Sequence, residues 1–280
     1  MQRTEAFALF ESMIVVAQEE LFSFTINSEM SVEHKADKSA VTACDKRIDQ
    51  KLTQIARGKG LQVVSEEGDH VMEIVEAGNY VTIDPIDGTL GYIEYVNYAV
   101  EHDGLSAFGK EDLGSTSDFC LLLGIVENGI PRYGAMYNYI THEKIFVDGS
   151  DSNATVRENN VRGYSQPRVV YFDQRFIDDE VNQKLLQVEG VTVVTQAALG
   201  LKSLYTVMNP HTEAATVHRV QSAGLWDVMP AAVAARAFGA SVFDDHGQQL
   251  ELTKYILLPG KGATILKGNV FNFVIDMLRQ

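Results

Sequence analysis

The chain has 280 residues, 45% hydrophobic and 22% charged, and its 38 acidic against 23 basic residues give a formal net charge of −15. That length can bury a sizeable core. The absence of a Lys/Arg cluster argues against a nucleic-acid polymer as partner, and no apolar run is long and uncharged enough to span a membrane. The two cysteines, Cys44 and Cys120, lie outside any CxxC pair and do not suggest a disulfide scaffold.

The opening MQRTEAFALFESMIVVAQEE lacks a basic stretch leading into an apolar signal core, so a cytoplasmic location is expected. Phe7, Phe10, Ile14, Ala17 and Leu21 recur at helical spacing and predict a long helix over 4–27. A polar stretch from Lys35 to Thr42 leads into a second predicted helix, 45–57, through Ile48, Leu52 and Ile55. Two short apolar strands follow, Leu61–Ser65 and Tyr80–Ile83, each ending on acidic residues. Residues 90–118 mix glycines and charges and are expected to be irregular. Phe119–Val126 and Pro131–Tyr137 flank a Glu-Asn-Gly turn and predict a hairpin, with a further strand at Lys144–Val147. The Gly/Ser/Asn-rich 149–166 is expected to be a boundary between an N-terminal half, 1–155, and a C-terminal half, 156–280. Beyond it strands are expected at 168–172, 191–195, 214–218 and 240–244, and helices at 178–188, 199–208, 228–238 and 269–279. The reading is an antiparallel-rich half followed by an α/β half.

The strongest chemical signal is Asp84-Pro85-Ile86-Asp87-Gly88-Thr89, directly after an apolar strand. Pro85 restricts Asp84, Gly88 permits a tight turn, and Thr89 offers a hydroxyl at its mouth. Two aspartates and the Ile86 carbonyl make an all-oxygen cradle of the kind hard cations such as Mg²⁺ prefer. An isolated Asp-Gly is most often a plain turn, but six ordered positions after a strand are not. Ser65-Glu66-Glu67-Gly68 ends the preceding strand, and beside the aspartates Glu66 becomes a further candidate ligand. Trp226-Asp227 stands at the start of an apolar helix, where Asp227 could cap, ligate a metal, or both. Lys35-Ala-Asp37-Lys-Ser39-Ala-Val-Thr42-Ala-Cys-Asp45 is by itself only a polar loop entering a helix, with Asp45 a candidate cap. An EF-hand reading of 84–89 fails on spacing and on the missing terminal glutamate.

In this order the four elements resemble the lithium-sensitive, Mg²⁺-dependent phosphatase superfamily of inositol monophosphatases and 3′(2′),5′-bisphosphate nucleotidases. The resemblance spans about residues 5–270. It implies a layered α/β/α/β/α sandwich with mixed, antiparallel-rich sheets, and hydrolysis of a small phosphate monoester by metal-activated water. It also implies two or three Mg²⁺ ions held by Glu66, Asp84, the Ile86 carbonyl, Asp87 and Asp227, with Glu67 near a third, looser site. Thr89, hydrogen-bonded to Asp45, would orient the attacking water with Glu66 as a further catalytic group. Gly88, Thr89 and Asp227 would touch substrate. A homodimer is the candidate assembly.

For the substrate, Lys202 after Gly200-Leu201, and Arg219 eight residues before Asp227, resemble the nucleotidases. Both could bind a second phosphate, as in 3′-phosphoadenosine 5′-phosphate. Val220 stands where the inositol enzymes carry a glutamate that accepts sugar hydroxyls. The alternatives are an inositol or other sugar phosphate, and, outside enzymes, a catalytically silent metal-binding regulator. Met229, bulky for its place after Asp227, is expected to narrow the pocket or shift the helix start, with Pro230 in a first helical turn. The segment 90–118 is expected to serve as a lid, an oligomer contact or a substrate-selecting loop.

Overall fold

A computed structural model describes residues 1–27, 32–34, 40–68, 72–101, 118–158, 168–173, 178, 180–195, 197–208, 213–218, 224–244 and 263–267. The first half builds a six-stranded sheet in the order β3-β4-β5-β6-β7-β8. Its strands are β3 (Val63–Ser65), β4 (Tyr80–Asp87), β5 (Cys120–Glu127), β6 (Ile130–Asn138), β7 (Lys144–Asp148) and β8 (Asp151–Glu158). Only β3 and β4 run parallel; the other neighbours are antiparallel. A separate antiparallel pair, β1 (Val32–His34) and β2 (Ala40–Thr42), precedes them.

Side chains alternate across a strand, and both faces of this sheet are covered. Val81, Ile83, Leu121, Leu123, Ile125, Ala135 and Tyr137 bury against α1 (Arg3–Asn27) and α2 (Ala43–Gly58). Tyr80, Cys120, Leu122, Met136, Ile145 and Val147 face the other way, onto α6 (Leu199–Met208) and α7 (Leu225–Phe238).

The second half forms a five-stranded sheet in the order β10-β9-β11-β13-β12. These are β9 (Arg168–Phe172), β10 (Thr192–Thr195), β11 (Glu213–His218), β12 (Ser241–Asp244) and β13 (Ala263–Lys267). From β9 the chain steps outward to parallel β10 through α5 (Glu180–Leu186), then back across β9 to parallel β11 through α6. Right-handed crossovers in opposite directions put α5 and α6 on opposite faces. With α6 packed on α7 between the two sheets, that handedness rule assigns α5 to the outer face, which gives layers α/β/α/β/α.

Several expectations need correction. The strand before the metal motif does not stop at Ile83: β4 runs on through Asp87. Residues 89–101 form a helix, α4 (Thr89–Glu101), and not an irregular excursion; 102–117 lie outside the described residues. The Gly/Ser/Asn-rich stretch contains β8, an eight-residue edge strand whose polar side chains suit its half-exposed position. Strands β1, β2 and β13 and the short α3 (Met72–Ala77) have no counterpart among the predicted elements. Helix α7 begins at Leu225, three residues early, so Pro230 sits in its second turn, where it cannot donate to the Trp226 carbonyl. Met229 packs inward. It is fully buried against β5, where a Cβ on Gly124 would come within 2.2 Å of Met229 Cγ, so Gly124 makes its room. The helix expected at 269–279 lies outside the described residues.

Candidate active site

Asp84 and Asp87 are three residues apart, and in a regular strand they would face opposite sides of the sheet. Between them β4 advances three residues, Asp84 opposite Leu122 and Asp87 opposite Cys120, while β5 moves two. This bulge, containing Pro85 with no N–H to leave unpaired, turns both carboxylates towards one point. Asp227 joins them from the first turn of α7, and one oxygen from each of the three carboxylates lies within 4.8 Å of the others. Asp227 is not the N-cap itself. Gly224 holds that position, and its N–H donates to Asp227 Oδ2 three residues on. A carboxylate has lone pairs enough to cap and to ligate at once.

Glu66 follows β3, its N–H donating to the Ile83 carbonyl at 3.1 Å, and its carboxyl lies within hydrogen-bonding contact of Asp84. Burial holds the Asp84 carboxyl well above the usual carboxylate range, and the charges of Glu66, Asp87 and Asp227 push it the same way. Asp84 Oδ1 accepts from the Ile86 N–H at 3.1 Å; Asp84 Oδ2, fully buried, has no donor. Converging carboxylates and an orphaned buried oxygen fit a hard divalent cation.

Asp87 is placed differently. Its Oδ1 accepts from Leu199 N at 3.0 Å, and Oδ2 from Gly200 N at 2.7 Å and Leu201 N at 3.4 Å, capping α6. The Cys120 thiol adds a contact at 3.7 Å. Burial raises its pKa to about 6 against the lowering effects of Lys202 and the α6 amides.

Thr89 opens α4, and its hydroxyl lies 3.3 Å from Asp45 Oδ1 and 3.2 Å from the Ile86 carbonyl. Asp45 sits at the third position of α2, not at its cap: Thr42 is the N-cap, and the two form a capping box. Burial lifts Asp45 to about 6, opposed by its hydrogen bonds from Thr42. Gly88 has φ +88, and a Cβ there would meet Ala198 Cβ and the Asp118 carbonyl at 3.2 Å. The N-termini of α2, α4, α6 and α7 therefore all face the carboxylates, and their dipoles offset part of the assembled negative charge.

The remaining predicted residues are placed as follows. Lys202 is fully buried, with Nζ donating to the Ala197 carbonyl at 3.3 Å. Glu67 is half-buried, its N–H bonded to Ser65 Oγ at 3.3 Å, and the buried Ser65 hydroxyl donates to Asp49. Arg219 and Val220 lie outside the described residues, as do Lys35, Asp37 and Ser39. Sequence reasoning missed Tyr139, whose hydroxyl donates to the Pro85 carbonyl at 2.9 Å from 54 residues away. It also missed Cys120 and the α6 amides; no local signal marks any of these.

The profile of the inositol monophosphatase family matches residues 3–269. The chain belongs to the inositol monophosphatase family. It is a phosphoric monoester hydrolase with Mg²⁺ as cofactor, as that membership and the acidic cluster show. No curated protein sequence matches it. Solved structures share the fold at low identity. A Staphylococcal IMPase-I complexed with products is 18% identical with a TM-score of 0.72, covering 99% of this chain and 96% of its own. A dual specific IMPase/NADP phosphatase bound with D-inositol-1-phosphate is 17% identical, with a TM-score of 0.72 and the same coverage. A Thermotoga maritima IMPase is 15% identical, with a TM-score of 0.71, covering 99% of this chain and 97% of its own. Among the described residues no helix is long and apolar enough to cross a membrane.

Proposed function

We propose that this inositol monophosphatase family enzyme hydrolyses the monophosphate of a small polyhydroxylated metabolite, with inositol 1-phosphate as the type substrate. The observation that carries the metal chemistry is the meeting of Asp84, Asp87 and Asp227 within 4.8 Å, with Glu66 beside Asp84. These four side chains and the Ile86 carbonyl hold two or three Mg²⁺ ions. Bound there, Mg²⁺ eases deprotonation of water and offsets charge on the phosphoryl oxygens. The Thr89 hydroxyl, anchored on Asp45, orients the attacking water and connects it to a carboxylate that can take up a proton. The amides at the start of α4, freed by the Gly88 turn, receive phosphoryl oxygens. The two halves, 1–155 and 156–280, act as one site because Asp227 reaches across to β4. A cytoplasmic location, inhibition by Li⁺ and a homodimer accompany this reading.

The bisphosphate nucleotide is the second reading. Lys202, buried at the N-terminal end of α6, and Arg219 are the residues that would bind its second phosphate. A dual specific IMPase/NADP phosphatase among the fold relatives adds a third ester to compare. Phosphate release is measured with Mg²⁺ from inositol 1-phosphate, 3′-phosphoadenosine 5′-phosphate and NADP. The first reading expects the inositol ester to have the highest kcat/KM; a bisphosphate preference of tenfold or more reverses it. No release from any of the three would favour a silent metal-binding protein.

A further inference from the structure

Lys202 occupies an unfavourable place for a cation. It lies in the first turns of α6, whose N-terminus carries partial positive charge, and none of its side chain reaches solvent. An ammonium in such a setting needs a compensating anion. The side chain runs back towards the helix N-terminus, to the Ala197 carbonyl, on the end of α6 that Asp87 caps. Asp87 is an anion at that same end: its two oxygens accept from the Leu199, Gly200 and Leu201 amides at 3.0, 2.7 and 3.4 Å, within one turn of the Ala197 carbonyl that receives the ammonium. The Lys202 carbonyl accepts hydroxyls from Thr206 and Thr216, both at 3.0 Å, which fixes the helix turn bearing it.

We propose that Lys202 is a tethered monovalent cation of the metal site, a positioning residue that weakens divalent cation binding at Asp87 and holds that carboxylate in place when no ion is bound. The inference rests on the metal-site assignment above. The four carboxylates carry four negative charges when ionised, and one of these is already neutralised by a charge that cannot leave. A second Mg²⁺ arriving at Asp87 approaches the end of α6 that carries the ammonium, whereas an ion at Asp84 and Glu66 sits on the β3 side. The lysine thereby splits the affinities of the two positions.

The test is Mg²⁺ binding by titration calorimetry at fixed ionic strength, on the full chain and on Lys202→Met, alongside melting temperatures with and without Mg²⁺. The expected result is a weaker Mg²⁺ class that tightens at least about fivefold in the variant while the tighter class moves less than twofold. The Mg²⁺-induced rise in melting temperature should also be larger in the variant. Loss of packing alone would lower affinity, so the direction of change separates charge from structure. Unchanged or weakened binding in a folded variant overturns the proposal. If Lys202→Met does not fold without metal but folds in Mg²⁺, the proposal stands; if it folds in neither, Lys202→Gln is read by the same criteria. A parent chain that binds no Mg²⁺ overturns the metal-site assignment itself, an outcome distinct from binding without a lysine effect.

Discussion

The two sides of the metal site, one at the end of β3 and the other at the N-terminus of α6, solve the same electrostatic problem in opposite ways. On the β3 side, Asp84 has one oxygen with no donor and Glu66, a like charge, as neighbour. On the α6 side, Asp87 receives three backbone N–H groups and faces Lys202. The first carboxylate is incomplete without an added cation. The second is largely completed by the fold. A shared motif therefore contains one residue tuned for metal at the expense of metal-free stability, and one that serves the fold as well as the metal.

The largest expected effects lie in paired substitutions. Asp84→Asn and Asp87→Asn should each lower kcat/KM by about 1,000-fold, since each removes a charged ligand. Their effects on the metal-free protein should have opposite signs. Asp84→Asn removes a buried, like-charge-crowded carboxylate and should raise the melting temperature at pH 8. Asp87→Asn removes the negative charge at the end of α6 where the buried Lys202 ammonium lies, and should cost about 3 kcal/mol. Denaturant melts in chelator check this, and equal effects in both variants would erase the contrast. Asp227→Asn, which keeps an acceptor for the Gly224 N–H, should lower turnover comparably with little change in stability.

The contrast also sets how the metal-free protein responds to pH. Asp45 and Asp87 are raised from an ordinary 3.8 to about 6, and Asp84 is raised well above that ordinary value. Across that window the folded state binds more protons than the unfolded state, so metal-free stability falls as pH rises from about 4 through about 6 and beyond. Saturating Mg²⁺ favours the ionised carboxylates and should flatten or reverse the slope. Melting temperatures between pH 5 and 8, with chelator and with Mg²⁺, read both curves. A metal-free protein that gains stability over this range would contradict the shifts.

The sides differed in legibility for the same physical reason. Asp84, Asp87, Gly88 and Thr89 are contiguous, and their roles rest on local backbone chemistry, so six residues sufficed to flag them. The bulge that aims Asp84 and Asp87 together was hidden, because a shift of pairing with β5 is a property of two strands. Lys202 reads in the sequence as a substrate residue, because its burial beside the helix end that Asp87 caps depends on a residue 115 positions away. Helix α4 was obscured by a tract mixing glycine, tyrosine and acid, and β8 by a composition that suits a loop and an edge strand equally. Periodicity placed α2 and the β5–β6 hairpin well because those elements are strongly patterned and locally closed, and α1 because its buried Phe10, Ile14, Ala17 and Leu21 recur at helical spacing.

The smallest predicted effect tests whether the Asp84 side is held from behind. Tyr139 is buried, stacks on Phe119 with ring centroids 5.4 Å apart, and donates to the Pro85 carbonyl between the two ligands. Burial pushes its phenol well above the usual tyrosine range, so it remains a donor throughout the working pH. Tyr139→Phe keeps the stacking and removes one hydrogen bond, leaving a buried carbonyl short of a donor; about 1 kcal/mol of stability should be lost. The bulge would then be free to relax, and the tighter Mg²⁺ class, at Asp84 and Glu66, should weaken by a few fold. The weaker class at Asp87 should stay as it is, because the α6 amides and Lys202 fix that carboxylate independently of Pro85. Equal weakening of both classes would mean that the two aspartates move as one unit and that the fold does not separate them.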